Sequence, residues 1–162
     1  MPVPQVIHHA AENYRFNSDS LVKMTADLSP EEWLQRPGET SNHIAWIVGH
    51  MIWTRMMLLR RLGTEWSQPW LNSFTRGAKL QEPSQYPSKE TLLAAWNEVS
   101  GTLSGALENA SEEVLAQPSL QGPPSPDGKV SGVVSFLAIH ETYHLGQVSY
   151  LRGWLGHKGL MG

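Results

Sequence analysis

The sequence predicts an all-α protein: a four-helix bundle with short extra helices and a long loop between its second and third long helices. Three observations carry that expectation. Four long segments place apolar residues at the three-to-four spacing of a helical face, no stretch alternates as a half-buried strand would, and the single long connection is rich in Trp, Pro, Gly and Ser. With 162 residues, 40% of them apolar and 17% charged, the chain suits one globular domain over 1–162 that can bury a core without cross-links.

The first helix is expected over 4–28, with proline in its first turn and Ile7, Tyr14, Leu21 and Leu28 spaced seven apart. The second runs over 41–62 and stops at Gly63, a residue suited to the left-handed end of a helix. The third starts near Ser88 and carries Leu92, Trp96, Val99, Leu103 and Leu107 on one face. The fourth starts at 129 or 130, keeps Val133, Leu137, His140, His144, Val148 and Leu151 in one stripe, and stops by Gly156. Segment 63–87 is about 25 residues long, and connections of that length inside compact domains are commonly functional. Trp66, Trp70 and Phe74 within it point to a covering flap. Two short segments, 28–37 (LSPEEWLQRP) and 110–118 (ASEEVLAQP), each read as a Ser-capped short helix ending at proline. They divide the chain into two similar halves.

Composition narrows the chemistry. The absence of cysteine removes disulfides, zinc–thiolate sites and a cysteine nucleophile. A formal net charge of −3, with no basic run beyond Arg60-Arg61, offers nothing to neutralise phosphates, so nucleic acid is not an expected partner. The most apolar segment, 44–59, is interrupted by His50, Thr54 and Arg55 and is too short to span a bilayer. No basic-then-apolar leader is visible in residues 1–20, and a cytoplasmic location is expected.

Residues 140–144 read HETYH. Imidazoles four apart on a helix stand one above the other and can meet a single ion. Unpaired on an apolar stripe they would be costly to bury, so either a metal or, as the alternative, hydrogen bonds to neighbouring core side chains must satisfy them. The string also matches the zinc-peptidase pattern His-Glu-x-x-His. Those enzymes take a third ligand downstream, and no Asp or Glu follows His144; His157 lies beyond two glycines near a chain end expected to be mobile. A third ligand is therefore sought upstream. His50 is flanked by Ile47, Val48, Met51 and Trp53 and is favoured over His43, which lies about 10 Å away along the same helix and is expected to be exposed, as a cap or surface residue. His8 and His9 read as a solvated first turn. Three neutral imidazoles, His50, His140 and His144, leave positions on a divalent ion open, as catalytic sites do. Tyr143 and Gln147 flank the pair and are candidates to orient a substrate or the ligands. Glu141 points a quarter-turn away and is expected to be solvated or to support a ligand. Because the ligands must be neutral, metal affinity is expected to fall below about pH 6.5.

Segments 42–50 (NHIAWIVGH) and 140–152 (HETYHLGQVSYLR) together resemble the DinB-like superfamily of helical-bundle metalloproteins, and the resemblance extends over nearly the whole chain. It implies an up-down-down-up bundle, frequent homodimers, and His50, His140 and His144 as ligands of a zinc, nickel or iron ion. It also implies Gly146 as a close-packing position and, for some relatives, transferase or isomerase activity with a low-molecular-weight thiol. A metal-dependent enzyme follows as the leading expectation, a thiol-dependent transferase or a hydrolase of an unknown small substrate. Arg55, Arg76 and Arg152 are the cations available to such a pocket. The alternative is a non-catalytic or regulatory metal-binding bundle.

Overall fold

The computed structural model describes residues 2–161. Four long helices dominate it: α1 (His8–Thr25), α2 (Ile44–Arg61), α3 (Lys89–Glu108) and α5 (Val130–Trp154), with the short α4 (Glu112–Leu115) before the last. Four single 3-10 turns, Gln5–Ile7, Glu32–Leu34, Leu71–Phe74 and Pro83–Gln85, fill the connections. Among the described residues there is no strand, only an isolated antiparallel bridge between Pro118 and Lys129. None of the described helices is long and apolar enough to cross a membrane.

The helix ends follow local chemistry. Ser88 accepts from the Thr91 amide, and Ser111 does the same for Val114 at α4. At 28–37, Ser29 and Glu32 cap one another reciprocally, each side chain bonding the other's amide. The first helix is shorter than its pattern suggests: it opens as a 3-10 turn at Gln5–Ile7 and ends at Thr25, leaving Leu28 to bury itself from the following turn. The start of α5 is fixed by a group that periodicity does not reveal. Asp127 accepts from the Lys129 amide at 2.9 Å and the Gly132 amide at 3.1 Å, while Ser131 donates to its other oxygen at 2.6 Å.

The apolar stripes meet in one core. Ile7, Tyr14, Leu21 and Leu28 pack with Leu92, Trp96, Val99, Leu103 and Leu107 and with Val133, Leu137, Val148 and Leu151, all essentially inaccessible. Each such side chain contributes about 1.5–3 kcal/mol relative to exposure. Helix α2 is buried on nearly every side from Ile44 through Ile52, because it touches α3, α5 and the long loop at once.

Long-range hydrogen bonds give the helix directions. Along α1, Tyr14, Asn17 and Met24 bond to Val134, Glu141 and Arg152, so α1 and α5 run parallel. Lys89 bonds the carbonyl of Ala26 and Trp96 that of Ser18, so α3 runs against α1. Arg55 reaches Glu141 and Arg61 reaches Ser119, so α2 runs against α5. The order is up-down-down-up, and α1 packs against α5 and α3 rather than against its neighbour in sequence, α2.

Candidate metal centre

One helix turn of α2 faces one helix turn of α5 halfway along the bundle. There the imidazoles of His50, His140 and His144 converge, each offering one ring nitrogen within 4.8 Å of the others. The ring centroids lie 5.6 Å (His50–His140), 5.0 Å (His50–His144) and 4.4 Å (His140–His144) apart. The four-residue spacing on α5 brings two of the rings together, and the antiparallel crossing of α2 adds the third.

Two of the rings are held in a defined tautomer. His50 Nδ1 lies 2.8 Å from the Phe74 carbonyl oxygen, which can only accept; Nδ1 therefore carries the proton and Nε2 is left as a free lone pair. His144 Nδ1 lies 2.7 Å from Gln147 Oε1, whose own amide nitrogen faces the Tyr143 hydroxyl at 3.4 Å, and the same reasoning frees His144 Nε2. His140 Nε2 sits 3.0 Å from His144 Nε2, and its Nδ1 is buried without a partner among the described residues. Two lone pairs aimed at a third imidazole nitrogen in a low-dielectric pocket fit a divalent cation, which would replace the one proton the pair can share. Neutral imidazole donors suit zinc, nickel and iron alike.

The surroundings keep the rings neutral. Burial lowers all three imidazole pKa values, His140 to about 4, with the neighbouring rings adding to the effect at His50 and His140. With its pKa lowered to about 4, His140 is a neutral imidazole at pH 6, so proton competition at this ring begins below the 6.5 expected from the sequence. His50 is sandwiched between two indoles of its own helix, Trp46 at 4.9 Å and Trp53 at 5.6 Å, which fix its plane.

The long loop acts as the expected cover. Phe74 is fully buried, and a Cβ at Gly49 would overlap its ring; the absence of a side chain at 49 is what lets the loop dock and deliver the Phe74 carbonyl to His50. Beside the rings opens a cavity of about 460 Å³ lined by His50, His140, Trp53, Phe136 and Arg76 among others. A second, shallower groove of about 610 Å³ runs past Tyr143, Gln147 and Asn42.

Several sequence expectations change in place or role. Glu141 is not solvated: it is 1% exposed and bound at 2.7 Å by both Nε and Nη2 of Arg55, so neither residue is free for chemistry. Arg152 is likewise committed, to Asp27, which it holds at a pKa of about 2. His43 does cap α2, its Nδ1 accepting from the Trp46 amide at 3.1 Å, but it is buried against Tyr86, not exposed. His157 is tied down by Glu32 at 2.9 Å. Gly146 faces the open groove, where a Cβ would meet nothing. Tyr143 is 64% exposed and reaches the site only through Gln147 and the edge of His144. The Phe74 carbonyl, a backbone atom, gave no signal in the sequence. His8 and His9 are exposed, as expected.

The family model described as the DinB superfamily matches residues 13–148. Among solved structures, YfiT from Bacillus subtilis, described as a probable metal-dependent hydrolase with an unusual four-helix bundle topology, is similar at a TM-score of 0.64. The match has 12% identity and covers 93% of this chain and 87% of that one, a likeness of fold. No curated protein matches the sequence.

Proposed function

The chain belongs to the DinB superfamily, and from that premise we propose that it is a metal-dependent enzyme acting on a small molecule, with one divalent ion held by His50, His140 and His144. The observation that carries this reading is the pair of imidazoles whose Nδ1 protons are committed to the Phe74 carbonyl and Gln147, leaving their Nε2 lone pairs aimed inward. A bound ion would act as a Lewis acid on a water, a thiol or a substrate oxygen. The rings supply three ligands and leave the side facing the cavity for the reactant. Trp53, Phe136 and Leu137 line that side with apolar surface, which strengthens charge interactions beside it. Gln147 holds His144 in its ligating tautomer. Zinc, nickel and iron are the ions the donor set accepts, and hydrolysis and thiol transfer are the two reactions to be distinguished.

A second reading, a metal-binding bundle without turnover, draws on one observation: no carboxylate lines either opening beside the rings, and Glu141 is locked to Arg55. The deciding experiment is elemental analysis of protein purified without a metal column, compared with His50→Ala, His144→Ala and His43→Ala. About one ion per chain in the wild type and in His43→Ala, lost in the other two, is the expected result. Assay of the loaded protein against ester, amide and thiol-acceptor panels then separates the two readings. A wild type that stays metal-free after reconstitution overturns both.

A further inference from the structure

We propose that the cavity beside the three histidines takes small organic carboxylates with an apolar body, and that Arg76 pairs their negative head. The inference rests on reading the histidine cluster as the reaction centre, and it names the substrate class for that centre.

The lining carries the argument. Trp53, Met57, Pro123, Pro124, Phe136 and Leu137 make the walls apolar. The volume, about 460 Å³, lies in the range of small-molecule sites. Arg76 is the one fully charged side chain in the lining, and no acid stands near it there. The hydroxyl of Thr54, the other polar side chain apart from the imidazoles, is already spent on the carbonyl of His50 at 3.0 Å. A neutral polar ligand, a sugar or an amide, would thus find no side chain reserved for it. An anion finds a guanidinium at one side and the imidazole cluster at the other.

Arg76 is also the one arginine of the three sequence candidates left for this task. Arg55 spends its donors on Glu141, Ser18, Ser100 and the Tyr14 carbonyl, and Arg152 binds Asp27 and Met24. Arg76 makes no hydrogen bond or ion pair among the described residues. It stands in a tight turn in which the Ala78 amide donates to the Thr75 carbonyl at 3.0 Å and Gly77 takes φ +76°, so the loop that docks Phe74 also presents the guanidinium at the cavity mouth. A planar guanidinium binds a carboxylate through two parallel hydrogen bonds, the geometry that separates an acid from its amide.

The test titrates zinc-reconstituted protein with phenylacetate and with its neutral isostere phenylacetamide, followed by tryptophan fluorescence. Arg76→Gln, Arg76→Lys and the metal-site variant His144→Ala run in parallel, and zinc content is measured in each sample. The expected result is binding of the acid at least about tenfold tighter than the amide. That preference is lost in Arg76→Gln at unchanged zinc content and partly restored in Arg76→Lys. It persists, weaker, in the zinc-free His144→Ala protein, because the guanidinium remains. Equal binding of acid and amide overturns the proposal, as does a preference that survives in Arg76→Gln and vanishes with the zinc, since the ion alone would then hold the carboxylate. A wild type without zinc that still shows the Arg76-dependent preference sinks the metal reading and leaves this one standing.

Discussion

Removing the Glu141 carboxylate tests whether the polar centre of the bundle is a structural unit. Arg55 has five N–H donors, and each has an acceptor: Glu141 Oε2 at 2.7 Å and Oε1 at 2.7 Å, Ser18 at 3.0 Å, Ser100 at 2.7 Å and the Tyr14 carbonyl at 3.2 Å. The guanidinium lies 3.8 Å from the Trp96 ring centroid, and both members of the pair are 1% exposed. Glu141→Ala leaves this cation buried without its counter-charge, a loss of about 3–5 kcal/mol. For a chain of this size that lowers the melting temperature by roughly 6–20 °C. The double variant Arg55→Leu/Glu141→Leu removes both charges. Ser18 and Ser100 keep their own acceptors, the carbonyls of Tyr14 and Trp96, so little is left unsatisfied and most of the lost stability should return. Urea unfolding followed by circular dichroism measures all three proteins. A single variant that costs less than about 1 kcal/mol, or a double variant as unstable as the single, would refute the reasoning.

Three further outcomes follow from the geometry. Gly49→Ala should drive out the Phe74 ring, costing about 1–3 kcal/mol of stability, and detach the carbonyl from His50. Competition with a chromogenic chelator should show the accompanying loss of metal affinity, and unchanged affinity would mean the loop does not set the ring. Gln147→Ala should weaken metal binding by about 10–100-fold while Tyr143→Phe leaves it near wild type, because Gln147 alone touches the ligand's Nδ1. The cap at His43 should make stability depend on acid. Its pKa is lowered from 6.5 to about 4, chiefly by burial, so between those values the unfolded chain binds the extra proton. Stability is fully present above pH 6.5 and is lost as pH falls toward 4, by up to about 3 kcal/mol. His43→Asn keeps a capping acceptor that does not titrate, and its unfolding curves at pH 6.5 and 4.5 should differ less than those of the wild type. Equal differences would place the acid sensitivity elsewhere.

The long helices were legible because burial imposes its period on the chain: the stripe on the third helix and the apolar members of the stripe on the fourth become core residues. The convergence of His50 with His140 and His144 was legible for a related reason, since the i, i+4 pair needed a partner and α2 offered an imidazole in an apolar setting. What escaped depends on residues far apart in sequence. Glu141 reads as a side chain that is solvated or supports a ligand until Arg55, 86 positions away, arrives beside it. His157 reads as part of a loose end until Glu32, 125 positions away, binds it. Asp127 escaped for a local reason: it caps α5 from two residues before its N-cap Lys129 through a turn, where a helix start is normally sought at the cap itself. His43 reads as exposed because a histidine at a helix start usually is, and only the packing of Tyr86 over it reverses that.

The parallel pairing of α1 with α5 also sets the order of events during synthesis. Tyr14 finds its acceptor, Val134, 120 residues later. At about 5–20 residues per second, a ribosome takes on the order of ten seconds to deliver it. Until then α1 has α3 to lie against, and α2, made immediately after it, meets it chiefly through the bonds of Arg55 to Ser18 and the Tyr14 carbonyl. Contacts of such long span slow folding relative to bundles whose successive helices pack together. The histidine cluster inherits this delay, because His50 is made early and both of its partners lie in the last long helix. Any metal ion that binds at this cluster would therefore find no three-imidazole site on a partial chain.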